Sequence, residues 1–209
     1  MFKRIVNGVK EFFNGLFYKK KKIRLGCYGS PNAGKTTLAN KIAKDFLGKE
    51  IGKVSNVPHE TREVTEIEHI EMSEKGKKLI INLVDTPGIA TKIDFEDFIK
   101  YGIKKKKAKS RAKEATKGII EAIKWLDKMD VVLVVIDSSI DPYTQVNLTI
   151  LGNLEARKIP IIIVANKIDL KSSNIDRVKE MFPQYKIVGI SAKTGENFEE
   201  LYKTIFDSV

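Results

Sequence analysis

Residues Gly29-Ser30-Pro31-Asn32-Ala33-Gly34-Lys35-Thr36 spell an uninterrupted G-x-x-x-x-G-K-[ST] loop. Few eight-residue patterns restrict a fold more tightly, because such a loop works only between a strand that delivers it and a helix that leaves it. Both flanks are present. The apolar run Ile23–Tyr28 reads as a short buried strand, and Thr37–Ala43 reads as a helix. The glycines let the backbone curl so that successive N–H groups point inward at phosphate oxygens. The curl draws on Asn32, Ala33, Gly34, Lys35, Thr36 and Thr37. Lys35 reaches the β- and γ-phosphates, the Thr36 hydroxyl is offered to Mg²⁺, and the helix dipole adds partial positive charge. A nucleoside phosphate is therefore the expected ligand.

The choice of base is made further along. Asn166-Lys167-Ile168-Asp169 follows the apolar run Ile161–Ala165, so it sits at the carboxyl end of a buried strand, where open α/β sheets bind ligands. The Asp169 carboxylate can accept from the N1–H and exocyclic amine of guanine, a pair that adenine does not offer. Ser191-Ala192-Lys193 follows a further short strand, Lys186–Ile190, and can supply a backbone N–H to the guanine O6. At the end of the strand Leu79–Val84 stands Asp85-Thr86-Pro87-Gly88. Asp85 can hold Mg²⁺ through water, and the amide of Gly88, with no Cβ in the way, can approach the γ-phosphate. Alone, each of these stretches is also a common turn; in this order they point to guanine.

The remaining layout is regular. An edge strand is expected near 64–72, a turn at Glu74–Lys77, a paired strand at 78–84 and a central strand at Val131–Ile136. Helices are expected at about 113–128, 143–157, 175–181 and 197–206. Alternation of this kind implies an α/β domain with helices on both faces of a mostly parallel sheet, the second strand antiparallel.

The ordered set of motifs resembles the P-loop small GTPases of the translation-factor and Ras-like class. Within that class it is most similar to the bacterial Era branch, with G-x-P-N-x-G-K-[ST] and D-T-P-G-I. The resemblance covers residues 23–209 and implies a Ras-like six-stranded sheet, Mg²⁺ as cofactor, and slow hydrolysis of GTP to GDP and phosphate by a molecular switch. Era-like chains place the Mg²⁺-contacting threonine of the first switch before an arginine. In His59-Glu60-Thr61-Arg62-Glu63 that is Thr61, with Thr65 the runner-up. The catalytic set so implied is Lys35, Thr61 and Asn32, and the metal set is Thr36, Thr61 and Asp85. Ras-like members carry a water-orienting glutamine where this chain has Ile89, which cannot orient a water. Related enzymes with an asparagine at the position of Asn32 recruit potassium instead; equally, Asn32 can simply bond its own loop. A GTP-loaded scaffold with negligible turnover is the alternative. Era proteins carry an RNA-binding KH domain after the GTPase, and none is expected here, the chain ending at Val209 just after the last expected helix.

Charge sets two attachments apart from the body. Residues 1–24 hold eight Lys/Arg against Glu11, and residues 95–117 hold nine against Glu96, Asp97 and Glu114, so these two segments carry more than the whole net charge of +11. In residues 1–22, read as an amphipathic helix and basic linker, Phe2, Ile5, Val6, Val9, Phe12, Phe13, Leu16 and Phe17 share an arc of about 140°. Followed by Lys19–Lys22, that face fits an anionic membrane surface, a partner protein, or the chain's own domain. The second attachment lengthens the region that the resemblance identifies as switch II. It is read either as a solvated face or flexible loop, or as a nucleotide-gated contact with RNA, the ribosome or an acidic partner, reading phosphates and not sequence. A GTP-dependent dimer and a further effector complete the implied partners. Cys27, the only cysteine, falls in the first apolar strand as core filler and fits a reducing cytoplasm. Peripheral placement at the inner membrane face is the alternative that residues 1–22 leave open. Trp125 is expected in the core, and His59 and His69 are too few for a metal site.

Overall fold

The computed structural model describes residues 21–50, 52, 54, 59–74 and 77–209. Of the amphipathic helix and basic linker expected over residues 1–22, residues 1–20 lie outside the described residues. Six strands form one sheet in the order β2-β3-β1-β4-β5-β6: β1 Lys21–Gly29, β2 Thr65–Glu74, β3 Lys77–Asp85, β4 Val131–Asp137, β5 Ile161–Asn166 and β6 Lys186–Ile190. All neighbours run parallel except β2 on β3. The helices are α1 Lys35–Leu47, α2 Phe95–Lys100, α3 Lys105–Trp125, α4 Gln145–Ala156, α5 Ile175–Met181 and α6 Phe198–Phe206, with one 3-10 turn at Leu126–Lys128. This is the six-stranded, mostly parallel P-loop architecture expected.

Helices on both faces explain the continuous apolar runs in the middle strands. β4 and β5 bury Val132, Val134, Ile163 and Ala165 on one face and Leu133, Val135, Ile162 and Val164 on the other. β1 lies between β3 and β4, so the chain leaves it in opposite directions. The crevice where strand order reverses is where such sheets bind ligands.

Several expected boundaries move. β1 begins at Lys21, two residues early, so Lys21 and Lys22 pair with Leu79 and Ile80 and are sheet, not linker. β2 and β3 shift by a residue or two, with an irregularity between Ile67 and Ile70 where His69 has φ 66°. α4 starts at Gln145, two residues late, where the Thr144 side chain caps it by accepting from the amide of Asn147.

Two differences are larger. The helix expected from Lys113 begins at Lys105, so the lysine run is helix and not a loop. Its buried face is a stripe of small residues, Ala108, Ala115, Gly118 and Ala122, which gives little apolar periodicity to read. The short α2, capped by the Asp94 side chain on the amide of Glu96, was not expected at all. It rests on α3 through Phe98, which packs with Ala108 and Ala115. Trp125 is only half-buried, with the Lys128 ammonium 4.1 Å from its ring centroid, because the helix turns that edge outward.

One buried bond fixes α3 to the sheet. Tyr28, fully buried at the end of β1, donates its hydroxyl to the Ala122 carbonyl at 2.9 Å. Tyr28→Phe is expected to lower stability by about 1 kcal/mol, read as a lower urea midpoint with the slope unchanged. An unaltered midpoint contradicts the anchoring role.

Candidate functional site

Four loops at the carboxyl ends of β1, β3, β5 and β6 enclose a cleft of about 630 Å³, with residues 59–61 forming part of its wall. Of the residues singled out in the sequence, Asn32, Gly34, Lys35, Thr36, Thr37, Thr61, Gly88, Asn166, Lys167, Asp169, Ala192 and Lys193 all line it. Ala33, Asp85 and Ser191 sit behind this lining as buried support.

The loop after β1 is shaped by backbone that few side chains tolerate. Asn32 has φ 59° and Gly34 φ 99°, in the left-handed region. A Cβ at Gly34 would stand 2.2 Å from Nδ2 of Asn166, so glycine is required there for close approach as well as for φ. Lys35 donates from Nζ to the Ser30 carbonyl at 2.8 Å. The residue is 5% exposed, and burial pushes its pKa down to about 8 against the opposing pull of Asp85. A buried ammonium curled over the loop is poised for an anion.

Below it three oxygen-bearing side chains meet. Thr36 Oγ1 donates to Asp85 Oδ2 at 2.8 Å and lies 2.8 Å from Thr61 Oγ1. Thr65, the runner-up for the switch threonine, is instead paired in β2 opposite Asp85. Asp85 Oδ1 is buried with no hydrogen-bond partner, and burial pushes the carboxyl pKa up. An orphaned carboxylate oxygen beside two hydroxyls is a hard-oxygen donor set that fits a divalent cation such as Mg²⁺.

The side of the cleft at the ends of β5 and β6 is built around Asn166, which is 3% exposed. Its Nδ2 donates to the Ala33 carbonyl at 2.8 Å and its Oδ1 accepts from the Ala192 amide at 2.9 Å. Asp169 Oδ1 accepts from the Ser191 hydroxyl at 2.7 Å, which holds the carboxylate at the rim. Lys167, at φ 71°, reaches Asp137 Oδ2 at 2.5 Å.

Position 89 is closed to the cleft. Ile89 donates its amide to the Gly29 carbonyl at 3.1 Å while its side chain, 6% exposed, joins the core. A Cβ at Gly88 would meet Pro31 Cα at 2.8 Å, so the loops after β1 and β3 touch through that glycine.

Residues that the sequence did not single out also come here. His59 lines the cleft beside Thr61, with φ 56° and its ring 6.1 Å from that of Phe98. Its Nδ1 is buried without a partner. Burial pushes its pKa down to about 4 and the charge of Lys35 adds to that, against a hydrogen bond to the Gly88 backbone. Arg62 pairs with Glu114 at 2.8 Å and Arg111 with Glu60 at 3.5 Å, tying residues 60–62 to α3. A Cβ at Gly118 would stand 2.4 Å from the Arg62 carbonyl, so the helix lies directly on this segment. The only sequence signal for His59 was its place two residues before Thr61. Among the described residues no group of three or more His, Cys, Asp or Glu gathers to hold a metal, and no helix is long and apolar enough to cross a membrane.

Residues 24–167 match the family model described as 50S ribosome-binding GTPase. GTPase Era of Geotalea daltonii is 30% identical over 184 residues, covering 86% of this chain and 52% of that protein. A crystal structure of a variant of Aquifex aeolicus Era bound to GDP and aluminium fluoride superposes with a TM-score of 0.69 at 26% identity, over 90% of this chain and 57% of that one. Era in complex with MgGDPNP and nucleotides 1506–1542 of 16S ribosomal RNA gives 0.68 at 26% identity, over the same shares. The chain thus spans about half the length of these Era proteins.

Replacing the buried amide tests how the cleft is held. Asn166→Ala leaves the Ala33 carbonyl and the Ala192 amide without their partner and is expected to destabilise the nucleotide-free protein by about 2–3 kcal/mol. Asn166→Asp keeps an acceptor for Ala192 but sets an acceptor against the Ala33 carbonyl and buries a charge, so it should lose at least as much. Urea unfolding of the three proteins checks this; equal midpoints would show that the loops stand without the amide.

Proposed function

The chain belongs to the 50S ribosome-binding GTPase family, and from that premise we propose that it is a GTP-binding switch hydrolysing GTP to GDP and phosphate. What carries the reading is one cleft that combines a buried lysine in a phosphate loop, a threonine–aspartate–threonine oxygen cluster and the Asn166–Asp169 and Ser191–Lys193 loops. Asp169 accepts from the N1–H and amine of guanine, and the Ala192–Lys193 backbone donates to O6, where adenine's amino group would clash. The amides of residues 32–37 and Gly88 cradle the phosphates. Lys35 neutralises charge that develops on the bridge between the β- and γ-phosphates. Thr36, Thr61 and Asp85 are the residues that would hold Mg²⁺, and the bound cation supplies charge neutralisation at the phosphate oxygens. Water oxygen attacks the γ-phosphorus, the bond to the bridging oxygen breaks with GDP leaving, and the water's proton ends on the released phosphate.

In this reading Thr61 makes the structure sensitive to the third phosphate. Losing the γ-phosphate releases residues 59–63, and with them the Arg62–Glu114 and Arg111–Glu60 pairs that seat α3. Lys106, Lys109, Lys113 and Lys117 form one exposed stripe on that helix, at steps of about 4.5–6 Å along its axis. Such a stripe fits a phosphodiester backbone, and its charge makes RNA the favoured partner; the Era structure with a ribosomal RNA fragment is of a longer chain, of which this one covers 57%. The rival reading, a GTP-loaded scaffold with negligible turnover, draws on the burial of Ile89.

Two outcomes test this. Asp169→Asn is expected to move preference from guanine toward xanthine nucleotides in competition binding, and equal affinity of the parent for ATP and GTP would sink the base assignment. If Asn32 helps to hold potassium, single-turnover hydrolysis runs several-fold faster in potassium than in sodium, and Asn32→Ala removes the difference. Identical rates leave Asn32 as a loop residue; absence of turnover in both salts favours the scaffold.

A further inference from the structure

Hydrolysis of a phosphoric anhydride needs a group that holds the attacking water, and the position after Gly88 does not provide one. Ile89 is apolar and turned into the core. Around the γ-phosphate end of the cleft, where Lys35, Thr61 and Gly88 converge, His59 and Glu60 also line the wall; Glu60 is paired with Arg111 of α3, which leaves the imidazole of His59. We propose that His59 is the water-positioning residue of this site, its imidazole holding the attacking water in line with the γ-phosphate of GTP. This rests on the hydrolysis reading above.

Four observations carry it. The ring lines the same cleft as Lys35 and Thr61, and it lies against the Gly88 backbone, the segment placed to meet the γ-phosphate. Its Nδ1 is buried and makes no hydrogen bond, so the protein holds a polar atom desolvated beside the cleft with its bonding capacity unspent. His59 adopts φ 56°, an uncommon conformation for a residue with a Cβ, and Phe98 packs beside the ring. Strain of this kind gathers where a side chain is aimed for function. Finally, His59 stands two residues from Thr61, so the segment that brings the threonine to the metal cluster brings the imidazole with it. Water would then be ordered only when residues 59–61 have closed on GTP.

The chemistry balances without a change in the ring. An imidazole presents one donor and one acceptor nitrogen. It accepts from the water and orients the oxygen lone pair toward the γ-phosphorus. The phosphorus–oxygen bond to the β-phosphate breaks, GDP departs, and the proton is carried away on inorganic phosphate. His59 therefore positions the nucleophile and is not consumed or altered.

The test uses the full chain with His59→Ala and His59→Gln. Single-turnover hydrolysis is measured together with affinity for GDP, for a non-hydrolysable GTP analogue, and for GDP plus aluminium fluoride, which mimics the planar phosphoryl group in transit. His59→Ala is expected to slow hydrolysis by at least about tenfold, to lose aluminium fluoride retention, and to keep GDP and analogue affinities within about threefold of the parent. His59→Gln, which can still hold a water, should recover most of both losses. Parental rates in His59→Ala would overturn the proposal. So would a His59→Gln variant as slow as the alanine, since that would assign the ring to contact with Phe98 alone. A parent that binds GTP but never hydrolyses it removes the hydrolysis reading, and this proposal falls with it.

Discussion

The side-chain amide of Asn166 donates to the Ala33 carbonyl and accepts from the Ala192 amide, and through those two bonds loops from β1, β5 and β6 become one body. Both bonds are buried, so water cannot replace them at low cost. They also explain a neighbour: with Nδ2 so close, Gly34 has no room for a Cβ. In the proposed reading, the phosphate end and the base end of the cleft are therefore set at a fixed separation before any ligand arrives. Preorganisation of this kind is what lets a nucleotide be read at both ends at once.

The other wall is built differently. Residues 59–63 reach the cleft as an irregular segment, held by Thr61 on Thr36 and by ion pairs to α3. The Arg62–Glu114 pair is half-exposed, at 34% and 43%, and the Arg111–Glu60 pair, though only 17% and 20% exposed, is long at 3.5 Å, so neither is a strong link by itself. The contact gains its shape from Gly118, where the helix meets the Arg62 backbone directly. A rigid base side facing a wall of weak links is a sound arrangement for a switch, because only the second wall needs to move.

Much of this was legible in residue order alone. The glycines and Lys35 of the phosphate loop, Asp85–Gly88, and Asn166–Asp169 each have a spacing tied to a strand end, so both place and chemistry could be read. The apolar runs at 131–136 and 161–165 are long enough, and bounded clearly enough, to be buried strands. Residues 105–112 failed to read as helix because their buried face is alanine and the rest is lysine, so neither period stands out. α2 is too short for any period. His59 was missed for another reason: nothing local marks it, and its meaning comes from Lys35 and Gly88, which lie 24 and 29 positions away and meet it only in the folded chain.

The central claim is that a γ-phosphate in the cleft is felt at α3 through residues 59–63. Backbone hydrogen exchange reads that path directly, on protein loaded with Mg²⁺ and either GDP or a non-hydrolysable GTP analogue. The account predicts slower exchange with the analogue in residues 59–64 and in 105–118 together, while amides of β4 and β5 exchange alike in both states. Equal exchange at 105–118 in the two states, with GTP-analogue binding verified, would contradict it.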